Sequence, residues 1–494
     1  MYPFFDSNAG KWGFYIYFME SLQRYQSIIP DWKAFSDALW RPLPITGLVN
    51  VARISVSNFL ELYAIEGIEG SALQGNLECG FKLSNILKPS LGWQYKAGLF
   101  HLMEEVSMIP VQLLDPQPGE RILDLCAAPG SKTLMIALAM KNRGTLIANE
   151  FNRGRIAIVR SHLERMGMLS VSTFHHNGTN LNAQVGRFDR ILCDVPCSCE
   201  ATHRKHGKAI AWGHPDFRTR LTSTQRALLR KALQLCKVGG RIVYSTCTYA
   251  PEENECVLDA ILREYPGVVE LRPARVAGWN HSEGLRTWEG QAFVDGMEQC
   301  MRVYPHQNDT GGFFVAVLEK RMNLPAWESC PESVPPVMAI DKADPELQST
   351  LQGIQARFGI SESAMPAMDF FQKCGDLFAV SPEHLAPPEL VPMSCGTMFM
   401  RATVNYPKMP TGMANILAPL ATRNVVDLDA PQREAFLRRE HSILTDKQCE
   451  HCELDGGFVF VRFQGYGLGQ GRLHPGPEGT RLQSLFPKGW ALDA

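Results

Sequence analysis

The sequence has little that would tie it to a membrane or to an oxidising compartment. Its longest apolar runs, such as TLMIALAM, are far shorter than the roughly 20 residues that a membrane-spanning helix needs. The N-terminus is aromatic and carries early acidic side chains, without the basic start and apolar stretch of a signal peptide. The 14 cysteines are scattered, which disfavours a disulfide framework. We therefore expect a cytoplasmic protein without membrane contacts.

The sequence also has few grouped metal ligands. One CxxC stretch occurs, Cys449 to Cys452 with His451 inside it, and there is no second CxxC at a matching spacing. A structural zinc site is nearly always completed by four ligands. We interpret this stretch as a loop with two thiols and predict no metal, with a metal-binding regulator as the alternative.

Charge of one sign is not in excess overall, since the net charge is −2. Bulk attraction to nucleic acid is therefore not expected. Locally the balance differs, because ten Lys or Arg stand against the single acid Asp216 between His203 and Arg241. Such a run is often a solvated helix face, and the alternative is contact with phosphates.

The length and the apolar pattern predict several domains around an α/β core. A chain of 494 residues exceeds one ordinary domain. Five apolar runs are typical of buried strands, at residues 121–125, 145–150, 171–176, 190–195 and 241–246. Helical patterns lie between most of them, near 131–141, 153–167 and 222–237. This alternation predicts a doubly wound, parallel sheet.

The flanking segments differ from this core. Residues 1–92 form a mixed N-terminal segment, and 93–320 contain the alternating pattern. Residues 321–349 are rich in proline and acidic side chains, which indicates a linker. Residues 350–494 are expected to form a separate α+β domain.

Chemically informative residues follow the predicted strands. In doubly wound sheets, ligands bind beyond the carboxyl ends of the strands. After the first strand, Gly130 permits close approach of the backbone to a ligand, and the next helix offers free amides to an anion. Glu150 ends the second strand, where an acid can bind ribose hydroxyls.

Two cysteines follow the fourth and fifth predicted strands. Asp194 and Cys197 come after the fourth, and Cys247 after the fifth. Buried cysteines are usually small apolar fillers. Two thiols and a carboxylate at adjacent strand ends, beside a nucleoside site, favour reactive thiols instead.

Segments along most of the sequence resemble a known family. LDLCAAPGSKT, DVPCS and YSTCTYAPEENE resemble motifs I, IV and VI of the Sun-type (Nol/Nop/Sun) RNA cytosine-5 methyltransferases. RPLPITGLVNVARIS and RVYPHQNDTGGFFVAVLEK are similar to the family's early and late segments. GGFVFVRFQGYGLGQGRL and LFPKGW resemble the C-terminal RNA-binding domain of the family's RsmF-like branch, which acts on small-subunit rRNA.

The resemblance implies a fold with three parts. These are an N-terminal α+β domain that positions the substrate, a Rossmann-like methyltransferase sheet, and a C-terminal PUA-like α+β domain that binds RNA. It implies a monomer that uses S-adenosyl-L-methionine and methylates RNA, with rRNA of the 16S type expected and tRNA as the alternative.

The resemblance also implies the site residues. Cys247 would be the nucleophile, Cys197 would serve product release, and Asp194 would hydrogen-bond the base. The cofactor would contact Cys126, Ala127, Ala128, Pro129, Gly130, Ser131, Lys132, Glu150, Asn177 and Asp194. Asn177 stands where the family has Asp, and Cys199 and Ala201 stand where it has glycines.

The chemistry of cytosine explains why such residues are needed. Carbon C5 is a poor nucleophile until a thiolate adds to C6, and a hydrogen bond at N3 makes that addition easier. The base must be taken out of its stack to reach the strand ends. Arg204 and Lys205 would then hold the flanking phosphates. Two alternatives remain, a DNA cytosine-5 methyltransferase, which Cys247 disfavours, and a catalytically silent RNA-binding assembly factor.

Overall fold

The computed structural model describes residues 18–73, 78–206, 215–324, 339–373, 375–385, 387, 392–401 and 408–491. Residues 325–338 of the predicted linker and Lys208 of the basic run lie outside these ranges. Within the described ranges, no helix combines the length and apolar character needed to cross a bilayer.

The N-terminal part is a small antiparallel sheet with short helices. Its strands are β1 (Ile45–Val49), β2 (Gly70–Ala72), β3 (Gly80–Leu83) and β4 (Phe100–Leu102), and its helices are α1 (Trp32–Ala38), α2 (Val56–Ile65) and α3 (Trp93–Lys96). The strand order is β2-β3-β1-β4. Because β4 pairs with β1, this sheet continues past the predicted domain boundary at residue 92.

The central part alternates strands and helices, as the apolar pattern predicts. Its strands are β5 (Arg121–Asp124), β6 (Thr145–Asn149), β7 (Val171–Phe174), β8 (Phe188–Asp194), β9 (Cys236–Thr246), β10 (Val269–Arg272), β11 (Ser282–Glu283), β12 (Thr287–Trp288), β13 (Gln291–Ala292), β14 (Met301–Val303) and β15 (Phe313–Lys320). Its helices are α4 (Ile109–Leu114), α5 (Ser131–Ala139), α6 (Arg153–Met166), α7 (His203–His206), α8 (Pro215–Leu235), α9 (Glu255–Glu264) and α10 (Pro305–Asn308).

The central sheet is doubly wound. Strands β9, β8, β5, β6 and β7 are neighbours in that order and run parallel, and β15 joins antiparallel at the β9 edge. Successive residues of one strand enter opposite cores, since Ile122 packs in one apolar cluster and Leu123 in the other. The sheet is therefore buried on both faces, which explains the continuous apolar runs.

The predicted bounds of one helix, one strand and the linker are wrong. The helix predicted at 222–237 begins at Pro215 and ends at Leu235. Strand β9 begins earlier than expected because Cys236 pairs with Phe188 of β8. The predicted linker ends earlier than residue 349, because Asp344 accepts a hydrogen bond from the backbone N–H of Leu347 and caps a helix there.

The C-terminal part contains two further sheets. Its strands are β16 (Asp369–Lys373), β17 (Asp376–Val380), β18 (Ser394–Cys395), β19 (Thr397–Met400), β20 (Val425–Asp427), β21 (Ser442–Leu444), β22 (Phe458–Phe463), β23 (Tyr466–His474) and β24 (Thr480–Ser484). Its helices are α11 (Pro345–Phe358), α12 (Thr411–Leu417), α13 (Ala430–Leu437) and α14 (Asp446–Cys449). The sheets have the orders β16-β17-β19 and β20-β22-β23-β24-β21.

The C-terminal part packs closely on the rest of the chain. Its short strand β18 pairs with β7 at the edge of the central sheet. One apolar cluster contains side chains from both the N-terminal sheet and the five-stranded C-terminal sheet. Within it, the rings of Trp93 and Phe463 meet edge to face, with centroids 5.0 Å apart. Removing the C-terminal part would therefore expose apolar surface of the N-terminal part.

Candidate active site

The carboxyl ends of β5 and β8 and the first turn of α5 border a cavity of about 530 Å³. Its opposite wall comes from residues 42–46 and 102–104 of the N-terminal part. Seven of the residues predicted to bind the cofactor line this cavity: Cys126, Ala127, Ala128, Pro129, Ser131, Lys132 and Asp194. The structure therefore brings most of the predicted set to one place.

Gly130 shapes the turn that precedes α5. Its φ of +106° lies in a region that side chains with a β-carbon rarely adopt, and a β-carbon there would lie 3.2 Å from the backbone of Val159. Glycine thus lets the turn pack against α6 while its other side borders the cavity.

Glu150 and Asn177 do not line this cavity. Glu150 is buried and accepts hydrogen bonds from the backbone N–H groups of Ala128 (3.3 Å) and Asn152 (2.8 Å). Asn177 is exposed, and its side-chain oxygen accepts from the backbone and hydroxyl of Thr179. Glu150 therefore supports the turn that borders the cavity, and Asn177 caps the short helix that follows it.

Asp124 is a cavity residue that the sequence did not single out. It ends β5, is fully buried, and its Oδ2 accepts a hydrogen bond from the Thr133 hydroxyl at 2.6 Å. Its Oδ1 is buried and has no hydrogen-bond partner within the described part of the chain. Burial raises the pKa of Asp124 to about 7. The cavity floor thus offers an unused acceptor.

The two predicted catalytic thiols lie side by side. The Sγ atoms of Cys197 and Cys247 are 3.3 Å apart, and the backbone N–H of Cys247 points to the sulfur of Cys197 at 3.4 Å. Hydrogen bonds with Cys199 and Cys247 raise the pKa of Cys197 well above its ordinary value. The hydrogen bond with Cys197 lowers the pKa of Cys247, but the hydrogen bond with Cys199 and burial outweigh it, so the pKa of Cys247 also lies well above its ordinary value.

Asp194 lines the cavity, and hydrogen bonds hold both of its carboxylate oxygens. Its two oxygens accept hydrogen bonds from the Lys132 ammonium at 2.8 Å and from the Ser245 hydroxyl at 2.7 Å. Burial lowers the pKa of Lys132, but attraction by Asp194 and then Cys247 outweighs it, so the pKa lies above its ordinary value. Lys132 therefore stays charged and holds the carboxylate in place.

Buried acids that the sequence analysis did not assign join the two cysteine loops. Glu253 accepts hydrogen bonds from the backbone N–H of Ser198 and from the Gln225 amide. Glu200 accepts from the hydroxyls of Thr248 and Tyr25, at 2.9 and 3.0 Å. The EE pair in the YSTCTYAPEENE segment was the available signal for Glu253, but nothing local marked Glu200.

Glu255 holds the segment that follows Cys247 in a different way. Its carboxylate forms a fully buried ion pair with Arg302, and the guanidinium also donates to the backbone carbonyl of Tyr249. Arg302 belongs to the late segment RVYPHQN. The late segment thus fixes the chain just after the second thiol.

Arg204 was predicted to hold a phosphate, and this is wrong. Its side chain is fully buried, and its guanidinium donates to the backbone carbonyls of Arg41, Pro42 and Thr310 and pairs with Asp309 at 2.7 Å. It joins the N-terminal part to the central part. Lys205 is exposed and borders the cavity.

Comparison with known proteins agrees with this arrangement. Residues 111–319 match the family model described as 16S rRNA methyltransferase RsmB/F. A methyltransferase homolog protein from Pyrococcus horikoshii is 32% identical, with a TM-score of 0.52, over 58% of this chain and 90% of that one. The chain belongs to the RsmB/F methyltransferase family. The family predicted from the three motifs is thereby confirmed.

Two further relatives add detail. Ribosomal RNA small subunit methyltransferase F of Shigella dysenteriae is 35% identical over 327 residues, which cover 63% of this chain and 65% of that protein. The chain therefore spans somewhat less than two thirds of the length of such curated relatives. NSun6 from Pyrococcus horikoshii, solved with SFG, is 20% identical with a TM-score of 0.52, over 63% of this chain and 98% of that one. The predicted Rossmann-like methyltransferase fold is confirmed.

The buried carboxyl group of Glu200 predicts a specific pH dependence of stability. Burial raises its pKa from 4.5 to about 8. Between pH 4.5 and about 8, the Glu200 carboxyl is therefore protonated in the folded state and ionised in the unfolded state. The contribution of this group to the free energy of unfolding is complete below pH 4.5 and is lost as the pH rises through about 8. Glu200→Gln should remove this loss. Between pH 4.5 and 8, the free energy of unfolding of the variant minus that of the wild type should increase by up to about 1.4 kcal/mol for each unit of pH.

Urea unfolding at pH 5.5, 6.5 and 7.5 measures this difference. Glu264→Gln is the matched control, because Arg230 lowers the pKa of that surface carboxyl. The control should follow the wild type across the same pH range. Parallel curves for Glu200→Gln and the wild type would show that Glu200 does not take up a proton on folding.

Proposed function

We propose that this protein is an S-adenosyl-L-methionine-dependent RNA (cytosine-5)-methyltransferase that acts on small-subunit rRNA. The observation that carries the proposal is the pair of thiols 3.3 Å apart at the ends of β8 and β9, with Asp194 beside them. Cytosine-5 methylation needs a nucleophile, a hydrogen-bonding acid and a group that assists release. These three requirements match Cys247, Asp194 and Cys197.

The cavity fits the proposed cofactor. The buried, unpartnered Oδ1 of Asp124 suits the ammonium of an amino-acid group, and the N-terminus of α5 suits its carboxylate. The cofactor, when bound, supplies an electrophilic methyl group. Residues 126–132 would bind it directly, and Glu150 would hold the turn. Binding of the ribose by Glu150 remains a prediction. A contact between Asn177 and the adenine remains a prediction.

The charge of Lys132 supports Cys247 as the nucleophile. Either thiol can donate the hydrogen bond between the two sulfurs, which are 3.3 Å apart, so this contact suits both thiols equally. The Lys132 ammonium is close enough to Cys247 for the two charges to attract, which favours a thiolate at Cys247. That thiolate can then accept a hydrogen bond from the Cys197 thiol.

The reaction follows from these positions. Cys247 gives its proton to solvent, and its sulfur bonds to C6 of the extruded cytosine while N3 takes up a proton from solvent. The Asp194 carboxylate accepts a hydrogen bond from this N3–H. The electron pair at C5 then takes the methyl group. Cys197 gives its thiol proton to solvent and, as a thiolate, takes the C5 proton. The C6–sulfur bond breaks as the C5–C6 double bond forms again, and Cys247 leaves as a thiolate. Asp194 is kept ready for N3 by Lys132 and Ser245.

Two surfaces could hold the flanking RNA. Lys205 borders the cavity, and a groove of about 700 Å³ along α8 is lined by Arg218, Thr219, Thr222, Ser223, Arg226, Arg230 and Glu252. Other cations of the basic run are used within the protein, since Lys237 pairs with Asp189. The phosphate contacts predicted from the run are thus assigned to α8 and Lys205.

The three predicted parts have separate roles in this proposal. The N-terminal part, predicted as residues 1–92, forms one wall of the cavity and would position the base. The PUA-like C-terminal part, predicted as 350–494, would capture RNA beyond the target. The rRNA substrate is supported by the family model and by the names of the curated relatives. The alternatives to an rRNA methyltransferase are a tRNA methyltransferase and a catalytically silent RNA-binding assembly factor.

Variants of the two cysteines test the mechanism. Cys197→Ala should still add to cytosine and accept the methyl group, but it should stall before the sulfur leaves. We expect it to accumulate as a conjugate with RNA that survives denaturation and migrates slowly on a denaturing gel. Cys247→Ala and the double variant should form no conjugate and should show no methyl transfer.

Cys199→Ala is the control in the same experiment, because this neighbouring thiol has no covalent role in the proposal. It should form no stalled conjugate. A conjugate in Cys247→Ala, and none in Cys197→Ala, would assign the attack to Cys197. Active enzyme without a conjugate in any variant would exclude the two-cysteine mechanism.

The groove along α8 predicts a salt-dependent loss of RNA binding. Replacing Arg218 and Arg226 by Gln removes two cations from the groove. Each phosphate contact contributes about 0.7 to 0.9 to the slope of log affinity against log salt, so the slope should fall by about 1.5. Fluorescence anisotropy with labelled rRNA fragments at several salt concentrations measures this slope.

Arg272→Gln serves as the control, because Arg272 lies on β10, does not line this groove and pairs with Glu319. It should leave the slope unchanged. An unchanged slope in the α8 variant would assign phosphate binding to another surface.

A further inference from the structure

A third sulfur atom lies beside the catalytic pair. The Sγ of Cys199 is 3.9 Å from that of Cys197, and the ligand atoms of Cys197, Cys199 and Cys247 all lie within 4.8 Å of one another. Among the described residues, this is the only group of three His, Cys, Asp or Glu side chains that is close enough to hold one metal ion. The proposed mechanism uses two of the thiols and leaves the third without a role.

The spacing of the sulfurs matches a thiolate metal site. Zinc binds thiolate sulfur at about 2.3 Å, so tetrahedral ligands stand about 3.8 Å apart. The separations of 3.9 Å and 3.3 Å lie on either side of this value. Three sulfur ligands select thiophilic ions and disfavour Mg²⁺ and Ca²⁺, which prefer oxygen.

The loop that carries Cys199 is held in an uncommon conformation. Cys199 has φ of +56° and ψ of +24°, the left-handed region that favours glycine. Its carbonyl accepts a hydrogen bond from the Thr202 hydroxyl at 2.7 Å, and its sulfur lies 3.3 Å from the carbonyl oxygen of Cys197. The backbone therefore turns this side chain back toward the catalytic pair.

The surroundings hold all three sulfurs in place before any ion binds. The Ser198 N–H donates to Glu253, and the Ser198 and Thr248 hydroxyls are 2.7 Å apart, so the two cysteine loops are joined directly. The three thiols are only partly buried, which leaves room for a fourth ligand from solvent. A set of donors fixed in this way loses little conformational freedom on binding.

We infer that Cys197, Cys199 and Cys247 form a binding site for a thiophilic divalent cation of the Zn²⁺ class. Binding releases the three thiol protons to solvent and forms three sulfur–metal bonds, so the bound unit carries a net charge of −1. Water occupies the fourth position. Chelation of the ion and return of the three protons restore the thiols.

Occupation of this site would block methylation, because the ion binds both sulfurs that the reaction needs. This consequence rests on the proposed function, whereas binding of the ion does not. The third thiol would thus make the enzyme sensitive to the concentration of free thiophilic metal.

Titration of the full-length, reduced protein with Co²⁺ tests the site. Cobalt bound by thiolates in a tetrahedral site absorbs strongly in the visible and near-ultraviolet regions. We expect one equivalent to bind with this spectrum and Zn²⁺ to displace it. Cys199→Ser and Cys199→Gly should each weaken binding by at least about tenfold, as expected when a ligand is lost. The Gly variant suits the left-handed backbone and controls for misfolding.

The double variant Cys449→Ser/Cys452→Ser is the control for the CxxC stretch, and it should bind Co²⁺ as the wild type does. Absence of the thiolate spectrum, equal affinity in the Cys199 variants, or loss of binding in the CxxC variant would each overturn the inference.

Inhibition measurements separate this inference from the proposed function. Zn²⁺ should suppress methyl transfer by the wild type, a chelator should restore it, and the Cys199 variants should need at least about tenfold more Zn²⁺. If the wild type and all variants bind cobalt but none transfers a methyl group, the metal site is supported and the proposed function is wrong. If the wild type transfers methyl groups but does not bind cobalt, the proposed function is supported and the metal site is wrong.

Discussion

The parallel pairing of β8 with β9 is the constraint on which the candidate site depends. In its register, Asp194 stands opposite Ser245, and the two side chains are hydrogen-bonded. Both strands end on the same side of the sheet, at their carboxyl ends. Cys197 follows β8 by three positions and Cys247 follows β9 by one, and their sulfurs are 3.3 Å apart. A slip of one residue would turn Asp194 to the opposite face and separate it from Lys132.

Buried acidic side chains hold the loops of Cys197 and Cys247 together. Glu200 accepts a hydrogen bond from Thr248 beside Cys247, and Glu253 accepts one from Ser198 beside Cys197. Burial raises the pKa of both acids. The buried pair of Glu255 with Arg302 fixes the chain beyond Cys247. Breaking such a pair by removing one partner typically destabilises a protein by about 3–5 kcal/mol. These contacts hold the two cysteine loops together, and both thiols remain partly exposed.

The sequence predicted the sheet and the strand-end residues because both follow from local patterns. Buried parallel strands are continuous apolar runs, and their carboxyl ends must meet at one edge. Asp194, Cys197 and Cys247 are therefore where the pattern places them. The adjacency of the fourth and fifth strands was also predicted, and so was the family, because its motifs lie at these strand ends.

What the sequence could not predict depends on residues far apart in the chain. Arg204 looked like a phosphate ligand because it belongs to a basic run, but carbonyl groups from residues 41, 42 and 310 surround it. The sequence does not distinguish Asp124 from any other acid at the end of a strand. Only the structure shows that its Oδ1 is buried beside the cavity. The shared core of Trp93 and Phe463 likewise needs the two ends of the chain to meet.

Bisulfite sequencing of small-subunit rRNA detects the proposed 5-methylcytosine itself. RNA would be taken from the parent strain, from a deletion strain, and from deletion strains that carry the wild-type gene or the Cys247→Ser variant. We expect at least one cytosine that is protected in the parent, converted in the deletion strain, protected again by the wild-type gene and not by Cys247→Ser. Identical conversion in the parent and deletion strains, or protection restored by Cys247→Ser, would contradict this expectation.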